Sequence, residues 1–108
     1  MKNISLLLCA LVLATSTQAE SFNWDNLQRD RIELKLPLLT VQGHKGLLAC
    51  GYVNVSTCDK TGEACAIVTG VSNFDEMLAK PVVAVSKAAS ELGVVLGMSG
   101  EQALRLLR

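Results

Sequence analysis

The chain has 108 residues, half of them hydrophobic, and its 10 basic and 10 acidic side chains cancel. That apolar share excludes an intrinsically disordered polypeptide. The charge balance gives no basic field that would draw nucleic acid or an anionic membrane surface, so neither is expected as a partner.

The first residues hold one positive charge at Lys2, an apolar run from Ile4 to Ala14, and Thr15-Ser16-Thr17-Gln18 closing on Ala19. This is the order of a secretory signal peptide, with Thr17 and Ala19 at the −3 and −1 positions of the cut. An apolar run of roughly 11 residues falls short of the ~20 that a helix needs to span a bilayer, so the segment reads as cleaved and not as a membrane anchor. Cys9 lies too near the start to be a lipoprotein cysteine and reads as a small hydrophobe in a discarded peptide. Removal of residues 1–19 leaves about 89, enough for one core. Losing Lys2 moves the side-chain charge to about −1. The expectation is an exported chain, periplasmic or secreted after cleavage near Ala19.

Residues 20–35 read as a lead-in, with Phe22 and Trp24 as packing anchors, followed by the start of a first strand. From Arg31 to Val41, Ile32, Leu34 and Leu36 alternate with charged residues, which predicts a strand with one dry face. Pro37 would bend that strand or place it at an edge. The loop Gly43-His44-Lys45-Gly46, with His44 solvated at its tip, predicts a hairpin to a second strand from Leu47 to Val55. Ser56 to Gly62 reads as a helical turn or an irregular loop, capped by Ser56 and ended by Gly62. Ala64 to Val71 suits a strand covered on both faces. Asn73 with Glu76 predicts a capping box for a short helix ending near Lys80, before Pro81. A second helix is predicted over Val83 to Leu92 with Gly93 as its left-handed cap, then an extended stretch from Val94 to Gly97. Ser99 with Gln102 opens a last helix with Ala103, Leu104, Leu106 and Leu107 as its apolar stripe. The fold class is therefore α+β: one small domain, a sheet of at least three strands, and three short C-terminal helices packed on it.

Motifs for chemistry are sparse. The glycines from Gly93 to Gly100 match neither dinucleotide nor P-loop spacing, and Glu101 would repel a phosphate, so turn chemistry is the better account. There is no G-x-S-x-G elbow, and a triad would have to draft the single His44 from a loop tip. Asp75 and Glu76 at a helix start favour the helix dipole without implying an acid–base pair.

Several ordered blocks carry a resemblance: Gly46-Leu47-Leu48-Ala49-Cys50-Gly51-Tyr52-Val53-Asn54-Val55, Ala66-Ile67-Val68-Thr69-Gly70-Val71, Glu76-Met77-Leu78, Ala88-Ala89-Ser90-Glu91-Leu92-Gly93, and Gly97-Met98-Ser99-Gly100-Glu101-Gln102-Ala103-Leu104. At these residues the chain resembles the YunC-like family of small bacterial and archaeal domains of unknown function. The likeness runs from Leu36 to Leu107, so residues 36–108 are expected to form the YunC-like domain. It implies an α+β domain whose N-terminal strands take part in self-association, with tetramers described, and it implies no known reaction. The Pro37 strand would fit an edge that another subunit covers. The secretion signal and the extra cysteines at 58 and 65 depart from the usual members.

Three cysteines remain after cleavage, so at least one stays unpaired. Cys58 and Cys65 flank the 56–62 turn, seven residues apart. Across such a reversal their Cα atoms come within disulfide range, and an exported compartment lets the bridge form. Cys50 falls in the family block, and its predicted mid-strand position puts Tyr52 and Asn54 on the same face. A metal held by the three sulfurs and His44 would lack paired C-x₂-C or H-x₃-H spacing, so no metal and no cofactor is expected. The favoured reading is a non-enzymatic, self-associating binding or structural domain, a homo-oligomer joined through its N-terminal strands. The alternative is a thiol-dependent enzyme or redox protein using Cys50, with Tyr52 and Asn54 as accessory groups.

Overall fold

The computed structural model describes residues 21–108, so the segment predicted to be a signal peptide, with Cys9, lies outside the described residues. The described residues form five strands and four helices, in the order β1 (Gln28–Ile32), β2 (Leu38–Gln42), β3 (Leu47–Ala49), α1 (Val55–Thr61), β4 (Cys65–Ile67), α2 (Phe74–Ala79), β5 (Ala84–Val85), α3 (Lys87–Glu91) and α4 (Gly100–Leu107). The strands lie in the sheet in chain order. β1–β2, β2–β3 and β4–β5 are antiparallel, while β3–β4 is parallel. A parallel pair needs a crossover, and α1 supplies it. The class is α+β, with a mixed sheet in one small domain.

The centre of the sheet is dry because its strands β3 and β4 are made of small and apolar residues. Leu48, Ala49, Ala66 and Val68 are fully buried, together with Leu39 and Val41 of β2. α4 closes one side with Ala103, Leu104 and Leu107, also fully buried. Its start is fixed by a complete capping box between Ser99 and Gln102. At α2 the Asn73 side chain accepts the Glu76 N–H, while the Glu76 carboxylate reaches one residue further back to the Ser72 N–H. The lead-in docks through its rings: Phe22 meets Trp24 edge to face, Trp24 meets Phe74, and the Arg29 guanidinium lies 4.5 Å from the Trp24 centroid. Arg108 ties down the same segment by donating to the carbonyls of Asn23 and Asp25.

Four stretches differ from the sequence expectation. The strand predicted over 31–41 is two strands, β1 and β2, reversing between Ile32 and Leu38. The alternating leucines belong to the reversal, and Ile32, Leu34 and Leu36 are 54%, 47% and 67% exposed instead of lining a dry face. Alternation marks a two-sided segment without saying what covers either side. Pro37 sits just ahead of β2, where a missing N–H costs no ladder bond. The strand predicted to Val55 stops at Ala49, because the chain turns at once with the Val53 N–H donating to the Cys50 carbonyl at 3.1 Å. The helix predicted over 83–92 begins as β5 and turns helical only after Ser86, whose hydroxyl accepts the Ala89 N–H as an N-cap. The 94–97 stretch is a turn, with Gly97 at φ 91°.

Candidate functional site

Cys50 follows β3 directly and is 4% exposed. Its backbone N–H donates to the Leu39 carbonyl at 3.1 Å, continuing the β2–β3 ladder past Thr40 and Ala49. A hydrogen-bonded antiparallel pair would return a second bond from the Leu39 N–H to the Cys50 carbonyl. That carbonyl is already taken by Val53, and the sulfur replaces it: the Leu39 N–H donates to Cys50 Sγ at 3.3 Å. The thiol lies 4.0 Å from the Pro37 carbonyl, to which it donates. A side chain at position 50 must therefore both accept a hydrogen bond and survive burial, which cysteine does as a small hydrophobe with a weak acceptor.

A measurable consequence follows for stability. Cys50→Ala leaves the buried Leu39 N–H without an acceptor and should cost about 2 kcal/mol, whereas Cys50→Ser keeps one and should cost about 1 kcal/mol or less. Chemical denaturation of the two variants checks it; equal losses would remove the ladder role of the sulfur.

Cys50 lies beneath an open groove of about 530 Å³ and contributes to its lining. Its walls are Leu36 and Pro37 from the β1–β2 reversal, Gly51 and Tyr52 from the turn after Cys50, and the stretch from Thr69 to Ser72 that leaves β4. None of these lining residues carries an imidazole, carboxylate or amine, so the groove offers hydroxyls and apolar surface but no general base beside the sulfur. His44 lines a different, shallower opening with Asn26, Leu27, Gln28, Gln42 and Gly43. Among the described residues no three His, Cys, Asp or Glu side chains come together as a metal site. Arg31 borders the groove by donating to the Ser72 carbonyl at 2.9 Å. The same guanidinium pairs with Glu33, and its hydrogen bond holds the Glu33 carboxyl below its usual range.

The residues predicted to share one strand face with Cys50 do not. Tyr52 is 49% exposed on the turn and lines the groove, and Asn54 has left the sheet altogether. Asn54 is the N-cap of α1, its side-chain oxygen accepting the Ser56 N–H at 2.8 Å, so it takes the capping role expected of Ser56. The face prediction fails because period-two reasoning requires the strand to continue, and this one ends at Ala49. Cys58 and Cys65 are joined by a disulfide with Cα atoms 6.3 Å apart, inside the range such bridges occupy. Ser86 was not singled out by sequence reading, yet it is fully buried and bridges three backbone groups. A serine just before an alanine-rich helical stretch was the available signal for its capping role.

Comparison with known proteins places this arrangement. A family model described as a domain of unknown function, DUF1805, matches residues 49–107. The chain belongs to this family. The DUF1805 match begins at the end of β3 and takes in the Cys50 turn, both bridged cysteines and all four helices, leaving the β1–β2 hairpin outside it. The chain is 32% identical over 80 residues to the uncharacterized protein YunC of Bacillus subtilis strain 168, spanning 68% of this chain and 79% of that protein. It also superposes on the crystal structure of TA1206, a protein of unknown function from Thermoplasma acidophilum. That likeness has a TM-score of 0.67 at 32% identity and covers 76% of this chain and 93% of the other.

Proposed function

We propose that this DUF1805 chain is an exported, self-associating binding or structural module whose copies meet through the β1–β2 hairpin. The observation that carries this reading is the apolar surface at the hairpin tip, where Ile32, Leu34 and Leu36 are 47% to 67% exposed in a chain with ample buried core. β1 is also an edge strand, exposed at all five residues. Its charges argue against simple extension of the sheet. A two-fold ladder centred on Asp30 would set Asp30 against itself and Arg29 against Arg31, and like charges directly opposite are destabilising. The leucines of the reversal are then the contact, and the charged strand guards the edge against unwanted pairing.

In a two-fold contact each residue is buried twice, so a charge placed at the tip is felt twice. Ile32→Glu with Leu36→Glu should weaken association by about 100-fold, while leaving the fold intact because both positions are exposed. Size-exclusion chromatography with light scattering on the mature chain reads this. A wild-type monomer at micromolar concentration would overturn self-association. Intact mass of the protein from its native host reads export separately: a first residue near Glu20 is expected, and a chain starting at Met1 would overturn it.

A further inference from the structure

We propose that the Cys58–Cys65 disulfide is a redox-sensitive latch: reduced by an external dithiol, it releases α1 and the turn that walls the Cys50 groove while the sheet and α4 stay folded. The proposal goes beyond self-association and does not depend on it.

Little besides the bridge holds α1 to the rest of the molecule. A helix of seven residues lies far below the length at which a helix is stable by itself in water, so it persists only through what it is tied to. Cys58 is its one buried residue. Its other hydrogen bonds are mostly local: the Asn54 cap at one end, the Gly62 and Glu63 N–H groups on the Cys58 carbonyl at the other, and the Thr61 hydroxyl on the preceding turn. The tie that reaches across the chain besides the disulfide is an exposed one, the Lys87 N–H donating to the Asp59 carboxylate at 2.8 Å. The bridge therefore fastens a weakly held helix to Cys65, which is 1% exposed on the inner strand β4, between β3 and β5.

The other end of the latch is equally well defined. Cys65 stays put without the bridge, because its backbone bonds to Ser86 on both sides, from its N–H to the Ser86 hydroxyl and from the Ser86 N–H to its carbonyl. Opening is thus one-sided: β4 remains and α1 leaves. Asn54 caps α1 and ends the turn that begins at Cys50, so unwinding of the helix frees Gly51 and Tyr52, one wall of the groove. The sulfur of Cys50 then becomes reachable, since the closed state covers it almost completely.

The chemistry balances with the dithiol alone. As the short helix α1 frays, one thiolate of the dithiol attacks the Cys58 sulfur, and the Cys65 sulfur leaves as a thiolate and takes up a proton. The second dithiol thiolate then attacks the first dithiol sulfur and expels the Cys58 sulfur as a thiolate, which is protonated in turn. The protein gains two thiols and the dithiol becomes a cyclic disulfide.

Hydrogen exchange by mass spectrometry on the mature wild-type chain, oxidised and then treated with dithiothreitol, tests the latch. Faster exchange confined to residues 51–62, with β2, β4 and α4 unchanged, is expected. The Cys58→Ala, Cys65→Ala double variant leaves Cys50 as its sole thiol after signal removal, and iodoacetamide should label it at least about 10-fold faster than in the oxidised wild type. Unchanged exchange in 51–62 after reduction would overturn the proposal. Loss of protection throughout the molecule would overturn it as well, because the bridge would then be a staple for the whole fold.

Discussion

Gly100→Ala should unfold this protein more readily than any truncation on its surface, by about 3 to 4 kcal/mol, lowering the melting temperature by about 15 °C or more. Gly100 is buried at the first turn of α4, where the helix crosses the end of α2. A methyl group there would overlap the Met77 carbonyl, with the carbonyl carbon at 2.9 Å and a Leu48 methyl at 3.3 Å. The obstacle is backbone, not the free end of a side chain, so it does not yield cheaply. The neighbouring backbone is also pinned, since the Gly100 N–H donates to the Lys80 carbonyl at 2.9 Å. To make room α4 would have to lift off the sheet, uncovering Leu48, Leu104 and Leu107, all fully buried. Gly62→Ala is the matched control: Gly62 has a φ of 80° but nothing within 4 Å of the added methyl, so only the left-handed backbone resists, at about 1 kcal/mol. Thermal melts of the two variants separate close packing from backbone strain. A Gly100→Ala loss no larger than that of Gly62→Ala would mean that α4 does not rest on the Met77 carbonyl.

The caps at Asn73 and Ser99 and the hairpin loop at Gly43 to Gly46 were legible in the sequence because each is a local signal, complete within about four residues. The two bridged cysteines were legible as well, since seven residues around a reversal allow few other geometries. Strand ends were not legible. Leu47 to Val55 reads as one extended run of apolar and small residues, and nothing at Cys50 announces a turn. The turn is held by the Val53 N–H on the Cys50 carbonyl, which takes the chain out of the ladder before β2 reaches its end at Leu38. The candidate site shifted for the same reason. Cys50, Tyr52 and Asn54 were grouped as a strand face, and the structure divides them into a ladder bond, a groove wall and a helix cap.

That division exposes a rule that operates at the margins of two ladders within the sheet and makes Ser86→Ala the second large effect. At the β2–β3 margin the Cys50 carbonyl turns away to Val53 and the sulfur receives the Leu39 N–H in its place. At the β4–β5 margin the pairing of Ala66 with Val85 continues to Cys65 and Ser86, and the Ser86 N–H donates to the Cys65 carbonyl at 2.9 Å. The return bond is again missing from the backbone, because the Ser86 carbonyl starts α3 by accepting the Ser90 N–H at 2.9 Å. The Ser86 hydroxyl fills the gap, accepting the Cys65 N–H at 2.8 Å and donating to the Glu63 carbonyl at 2.8 Å. In each case a chain leaving the sheet carries its carbonyl with it, and a short side chain with an acceptor atom closes the last rung. Ser86 is the more demanding of the two, since the same oxygen also caps α3 through the Ala89 N–H. Ser86→Ala should therefore cost about 3 kcal/mol, from a buried unpaired N–H, an unpaired carbonyl and a lost cap together. Ser86→Thr retains the hydroxyl and should recover about half of that, its extra methyl being the remaining cost. Urea titration of both variants decides the matter. Equal destabilisation by alanine and threonine would show that volume, not the hydrogen-bonding oxygen, governs this position.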